Sequence, residues 1–380
     1  MIKITSNSIS KNKNFSLNNF NNFFFEKEKK KKFKFFEEVK LKSDFWKYDS
    51  KNKKNKKLLI ISGLSRSGNH LLLSILDNHK DICLCGGEDG MLRNLLAVIK
   101  TYGEKKIERK IKSQNVNFIK KLSGSRILNN KITLFDKWLK VSKLSKNSKL
   151  RHSGTQGINY TTILDFKNIK PAINYKAFEH YLSKKIEIKN FFDFFYFYLE
   201  ATRKLFFENK KKKFYYTLCH SGLRREINFL LSNNVDATIL IPVRDFKGFY
   251  SSYLKGIYRT EKPNTYQLND IWENWRHKVI DFLLLKAKFP NRIILIQYED
   301  LIKNPKKLIN KLLGRIKISK IKKPETTILG KPNYGNSSYR LTNIKSGSIY
   351  KRKNNLKLKD SQIPFEYKKI MKLIKKNKLI

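Results

Sequence analysis

The segment Gly63-Leu64-Ser65-Arg66-Ser67-Gly68-Asn69-His70 carries the first chemistry-bearing spacing in the chain. An apolar run precedes it (Leu58 to Ile61) and another follows from Leu71. Glycines at such a strand-to-helix turn let backbone N–H groups face one point, and a helix starting there adds the positive end of its dipole. The segment therefore predicts a site for a phosphate-like anion. The spacing Gly63-x4-Gly68 is that of a Walker A loop, which continues with Lys and then Ser or Thr for phosphate and Mg²⁺. Here Asn69 and His70 follow, which argues against a magnesium-dependent kinase. What remains is a metal-free anion loop built from Arg66, Ser67, Gly68, Asn69 and His70; the plainer alternative is a turn that binds nothing. A second spacing lies in Pro242-Val243-Arg244-Asp245, where Ser252 follows Arg244 by eight residues. An Arg ending a buried strand offers a planar fork to a phosphate, and a Ser in the next helix adds a hydroxyl. The alternative is an ion pair from Arg244 to Asp245 or to a helix carboxylate.

These groups need elements to hold them. Leu58–Ser62, Phe214–Leu218, Ala237–Ile241 and Arg292–Gln297 read as short strands. Helical patterns fill much of 91–145, 174–209 and 268–289, the last with Trp272, Trp275, Val279 and Phe282 on one face. Strands alternating with helices predict an α/β fold with a parallel sheet flanked by helices. Ligands bind such sheets at the carboxyl ends of the strands, where both spacings lie.

Composition bounds the rest. The chain has 380 residues, a formal charge of +52, 40% hydrophobic residues and 13% aromatics. That is enough apolar material for a core and excludes global disorder. Three cysteines exclude a disulfide scaffold. No apolar stretch is long enough for a transmembrane helix and the start of the chain lacks a leader pattern, so a cytoplasmic protein is expected. The charge points to an anionic partner such as nucleic acid, a membrane surface or an acidic substrate. However, Lys supplies 68 of the 83 basic residues and Arg only 15. A nucleic-acid reader favours Arg, so nucleic acid is the weaker expectation and most lysines read as surface filler. Residues 1–57 are a Lys-, Asn- and Phe-rich low-complexity stretch, read as a mobile or loosely docked basic arm; 58–380 reads as the globular domain.

GLSRSGNHLLLSILDNH resembles the 5′-phosphosulfate loop of sulfotransferases that use 3′-phosphoadenosine 5′-phosphosulfate (PAPS). Arg66, Ser67 and Gly68 match; Asn69 and His70 replace two threonines. Arg244 and Ser252 are similar to that family's 3′-phosphate site. Tyr298-Glu299-Asp300-Leu301, then Pro305, also resembles the family, and its carboxylates are expected at a helix start. The late Gly335-Asn336-Ser337-Ser338 and the run Lys351-Arg352-Lys353 follow in the family's order, so the likeness spans roughly 58–375. It implies a P-loop-like sulfotransferase fold, the donor PAPS, the product 3′,5′-bisphosphoadenosine and no metal. It implies Arg66 as the catalytic cation and Arg352 as a nucleotide contact. In the tyrosylprotein-sulfotransferase branch a Cys-Gly-Glu-Glu segment follows the loop helix. Cys85-Gly86-Gly87-Glu88 is similar with one residue inserted, which implies Glu88 as the base. In a glycine-rich turn beside an anion site Glu88 should have a raised pKa. His70 and His220 are rivals, and Glu88 could instead cap the helix near Met91. No Lys stands near His220, which leaves a second catalytic cation unassigned. The acceptor should be lined by 91–165 and 253–275, with Arg151–Gly157 as a candidate loop; an acidic glycan is the first expected acceptor, ahead of a protein tyrosine or a small molecule. The rival reading is a non-enzymatic binder of nucleic acid or an anionic surface.

Overall fold

The computed structural model describes residues 41–48, 57–77, 79–87, 91–123, 175–205, 215–219, 221–254, 265–325 and 363–379, with short strand pieces between 327 and 351. Strand β1 (Lys57–Ile61) leads through the glycine loop into α1 (Asn69–Leu76). Then come β2 (Ile82–Gly87), α2 (Met91–Tyr102), α3 (Glu104–Lys112), α4 (Val116–Ser123), α5 (Tyr175–Leu182) and α6 (Phe191–Leu205). The second half runs β3 (Tyr215–Cys219), α7 (Arg224–Ser232), β4 (Ala237–Val243), α8 (Phe246–Tyr253), α9 (Thr265–Lys288) and β5 (Ile293–Gln297). It closes with α10 (Tyr298–Lys303), α11 (Pro305–Arg315) and α12 (Glu366–Asn377).

The five strands form one parallel sheet in the order β2-β3-β1-β4-β5. Leu58 to Ile61 and all of Ile293 to Gln297 are buried, as expected of strands covered on both faces. The chain leaves β1 for one side of the sheet and later reaches β4 on the other side. The carboxyl ends of β3, β1 and β4 therefore meet at a topological switch, the place where α/β sheets bind ligands. This is the expected α/β class.

Two local expectations need correction. Cys85-Gly86-Gly87, read as part of a turn, belongs to edge strand β2. Its pairing with β3 slips between Leu84 and Gly87, the irregularity that glycines permit at a sheet edge. Secondly, the last part of the expected arm is not loose. Phe45 and Trp46 are 4% and 1% exposed, and Trp46 packs on Phe191 of α6 at 5.6 Å between ring centroids. Residues 1–40 and 49–56 lie outside the described residues. The abundant Phe has its use in α6, where Phe191, Phe192, Phe194, Phe195 and Phe197 are all buried. No helix among the described residues is long and apolar enough to cross a membrane.

Candidate functional site

The loop after β1 takes its shape from two glycines and one asparagine. A Cβ on Gly63 would stand 2.2 Å from the Pro242 carbonyl oxygen of β4, so only glycine lets the strands approach there. Gly68 has φ 96°, and a Cβ on it would stand 2.5 Å from the Tyr298 ring. Asn69 holds the loop from inside. Its Oδ1 accepts from Gly63 N–H at 2.8 Å. Its Nδ2 donates to the carbonyls of Gly63 (3.3 Å) and Leu64 (3.0 Å) and to Ser221 Oγ (3.1 Å). The expected ligand donor thus has its amide engaged by the protein, and its buried position fits a loop brace.

Arg66 has φ 71°, a left-handed conformation that costs a residue with a side chain on the order of 1 kcal/mol. This turn presents its carbonyl to Arg244 Nη1 at 3.1 Å, while its Nε donates to Ser252 Oγ at 3.1 Å. Three residues that the sequence places as far as 186 positions apart are therefore joined at the carboxyl ends of β1 and β4. Burial, and then the Arg244 charge, pull the Arg66 pKa below its ordinary value.

Arg244 is 2% exposed. Its guanidinium lies over the Tyr298 ring, 4.5 Å from the centroid, and its own carbonyl accepts from Trp275 Nε1 at 2.9 Å. Its Nε is buried without a hydrogen-bond partner. Among the described residues it forms no ion pair, so the expected alternative of a salt bridge to Asp245 or a helix carboxylate is not realised. Asp245 instead caps α8, accepting from Gly248 N–H at 2.8 Å. Glu299, expected at the start of its own helix, accepts from Asp245 N–H at 3.3 Å. Burial first, then the hydrogen bond and charge of Asp245, push the Glu299 carboxyl well above the usual carboxylate range. The hydroxyl of Ser67, a residue with no exposed surface, also lacks a partner.

Two like charges side by side, Arg244 buried and Arg66 half-buried, with an unused buried guanidinium N–H and an unused buried hydroxyl, form a cradle that an oxyanion would complete. Asp300 binds Lys378 near the end of the chain at 2.6 Å. His70 is half-buried at the second position of α1. Among the described residues no cluster of His, Cys, Asp and Glu could hold a metal ion. Glu88, His220, Arg352 and Arg151–Gly157 lie outside the described residues. Sequence reasoning missed Tyr298 as a site builder. Its ring closes against both Gly68 and Arg244, and the available signal was an aromatic residue directly after the buried strand beside β4.

No protein-family model matches the chain, and no curated protein matches it significantly. Solved structures do. A sulfotransferase domain of the Synechococcus olefin synthase aligns over 72% of this chain and 78% of its own, with 13% identity and a TM-score of 0.40. A sulfotransferase domain from the curacin biosynthetic pathway aligns over 84% of this chain and 98% of its own, with 13% identity and a TM-score of 0.41. A sulfotransferase from Mycobacterium avium aligns over 70% and 64%, with 12% identity and a TM-score of 0.35.

Proposed function

We propose that the chain is a sulfotransferase that binds PAPS at the glycine loop and moves its sulfuryl group to an acceptor hydroxyl. The observation that carries this reading is Arg244, a buried arginine with no carboxylate partner among the described residues. It donates to the Arg66 carbonyl, and Arg66 in turn donates to Ser252, beside a phosphate loop that lacks the kinase Lys and Ser/Thr. The geometry fits a ligand with two anionic ends: the loop N–H groups and Ser67 for one, Arg244 and Ser252 for the other.

Bound there, the phosphosulfate supplies an activated sulfuryl group, whose transfer forms a sulfur–oxygen bond to the acceptor and breaks the bond to the bridging oxygen. The chain's part is to orient and to neutralise. Arg66, placed by its left-handed backbone and by Ser252, stabilises negative charge where the loop meets the acceptor side. Glu88, directly after the carboxyl end of β2, takes the acceptor's proton in this reading. An acidic glycan is the acceptor we favour.

Calorimetry with 3′,5′-bisphosphoadenosine against AMP tests the proposal. Clear preference for the 3′-phosphate is expected; equal affinities would refute it. A Glu88→Gln chain should then bind the nucleotide normally and transfer no labelled sulfate. The rival, a non-catalytic polyanion binder, has its own supporting feature: a groove of about 660 Å³ lined by Lys303, Lys306, Lys307, Lys322 and Lys323. It predicts nucleic-acid complexes with a steep salt dependence at physiological salt, and a gel shift decides it.

A further inference from the structure

The turn after β3 is tied to the phosphate loop. Gly222 N–H donates to the Gly63 carbonyl at 3.0 Å, Leu223 N–H to Ser62 Oγ at 2.8 Å, and Asn69 Nδ2 to Ser221 Oγ at 3.1 Å. Beside this turn stands a second group of cations. Arg93 of α2 donates Nη2 to the Ser221 carbonyl at 2.6 Å. Arg224, at the start of α7, pairs with Asp281 of α9. Lys278 stands one turn before Asp281 on the same face of α9.

Asp281 is 2% exposed and faces Arg224, with Lys278 beside it. Arg224 Nε is buried without a partner. Lys278 makes no hydrogen bond or ion pair among the described residues, although Arg224 and Arg93 lie near enough to repel it. Burial, then those two charges, pull its pKa down to about 8. Asp270, exposed on α9, is the other carboxylate acting on Lys278. Arg224 and Lys278 share the one buried carboxylate, Asp281, with the Arg93 charge close by, an arrangement that costs the folded state stability. The phosphate loop and the Arg244 pocket use none of them.

We propose that Arg93, Arg224 and Lys278 form a second anion site, beside the turn after β3, that holds a sulfate or carboxylate group of the acceptor. This rests on the sulfotransferase reading of the neighbouring loop and deepens it, because it makes the acceptor acidic. The guanidinium forks suit planar and tetrahedral oxyanions, and the ammonium adds a point charge. Partial burial strengthens each contact relative to open solvent.

The test is calorimetry on the full chain in two arms. The first titrates 3′,5′-bisphosphoadenosine and reports on the sulfotransferase reading alone. The second titrates sodium sulfate, and separately glucuronate, into chain saturated with that nucleotide, comparing wild type with Lys278→Met. Wild type should bind one further anion; Lys278→Met should weaken it by about tenfold or more, and Lys278→Arg should restore most of the affinity. Whichever anion binds more tightly identifies the acceptor group. Lys278→Met should leave nucleotide affinity unchanged and melt no lower than wild type, which a purely structural lysine would not combine with lost anion binding. Should Lys278→Met fail to fold, Arg93→Gln makes the same comparison. If wild type binds neither anion, or the folded variant binds as wild type does, the proposal is overturned. Failure of the first arm alone overturns the sulfotransferase reading and leaves the sulfate comparison to be read on unliganded chain.

Discussion

Replacing Arg244 by Met separates a ligand-binding arginine from a structural one. In the protein alone the guanidinium makes, among the described residues, one hydrogen bond, to the Arg66 carbonyl, and one stacking contact, on Tyr298. Their loss costs about 1 kcal/mol each. Removing a buried charge that repels Arg66 offsets much of this, so the melting temperature should move by only a few degrees. Toward a 3′-phosphate the same side chain has more to lose. Two charge-assisted hydrogen bonds, one from the unpartnered Nε, are worth about 3 to 4 kcal/mol together, or a few hundredfold in Kd. AMP has no 3′-phosphate, so its affinity should change by less than about threefold. The assay is a calorimetric cycle of two proteins and two nucleotides, with thermal melts beside it. Equal losses for both nucleotides would refute the assignment of Arg244 to the 3′-phosphate. A collapse in melting temperature would refute the view that the protein alone does not need this charge.

Gly68→Ala places a Cβ 2.5 Å from the Tyr298 ring at φ 96°, and should cost about 2 kcal/mol or more and weaken nucleotide binding, read by denaturant melts and calorimetry. Asn69→Leu keeps the volume of the side chain but strips its four hydrogen bonds inside the loop. A loss of about 3 kcal/mol is expected, and a change under about 1 kcal/mol would show that the loop needs no brace. Lys278 has a folded pKa of about 8 against an ordinary 10.5. The unfolded chain therefore binds the extra proton between those values, and the lysine's contribution to stability rises with pH across that window. Lys278→Met should be more stable than wild type at pH 7 by up to about 3 kcal/mol, and the gap should close by about pH 10.5, followed by urea melts.

The parts of the site legible in the sequence share one property: a backbone element fixes them. Arg66 and Gly68 sit in the turn from β1 to α1, Arg244 in the turn from β4 to α8 and Ser252 within α8, so apolar runs and residue spacing were enough to place them at strand ends. Residues whose role depends on which strands become neighbours were not legible. Tyr298 reaches Gly68 and Arg244 because β5 lies beside β4, and Glu299 reaches the N-cap of α8 for the same reason. Asn69 was read as facing a ligand, yet three of its four hydrogen bonds close the loop on itself. Edge strand β2 was hidden by a Gly-Gly pair and little β-branched character.

The same distinction explains why the +52 charge is a poor guide to chemistry and where it becomes a good one. Lysines supply most of that charge, and their number carries no geometry. Arg244 and Lys278 differ because the fold holds each in a largely buried place with no carboxylate bonded to it among the described residues. A largely buried cation with no bonded counter-charge lowers stability, a cost that an anion binding the folded chain would offset. Arg244 directly follows β4, and Lys278 of α9 stands near Arg224, just after the turn that follows β3. A donor bound at the first and an acidic acceptor at the second would meet over the glycine loop, where Arg66 stands. That arrangement requires the two sites to be independent in the protein alone. Arg244→Met should leave the sulfate affinity of the Lys278 site unchanged, and a parallel loss at both would mean that a single anion spans them.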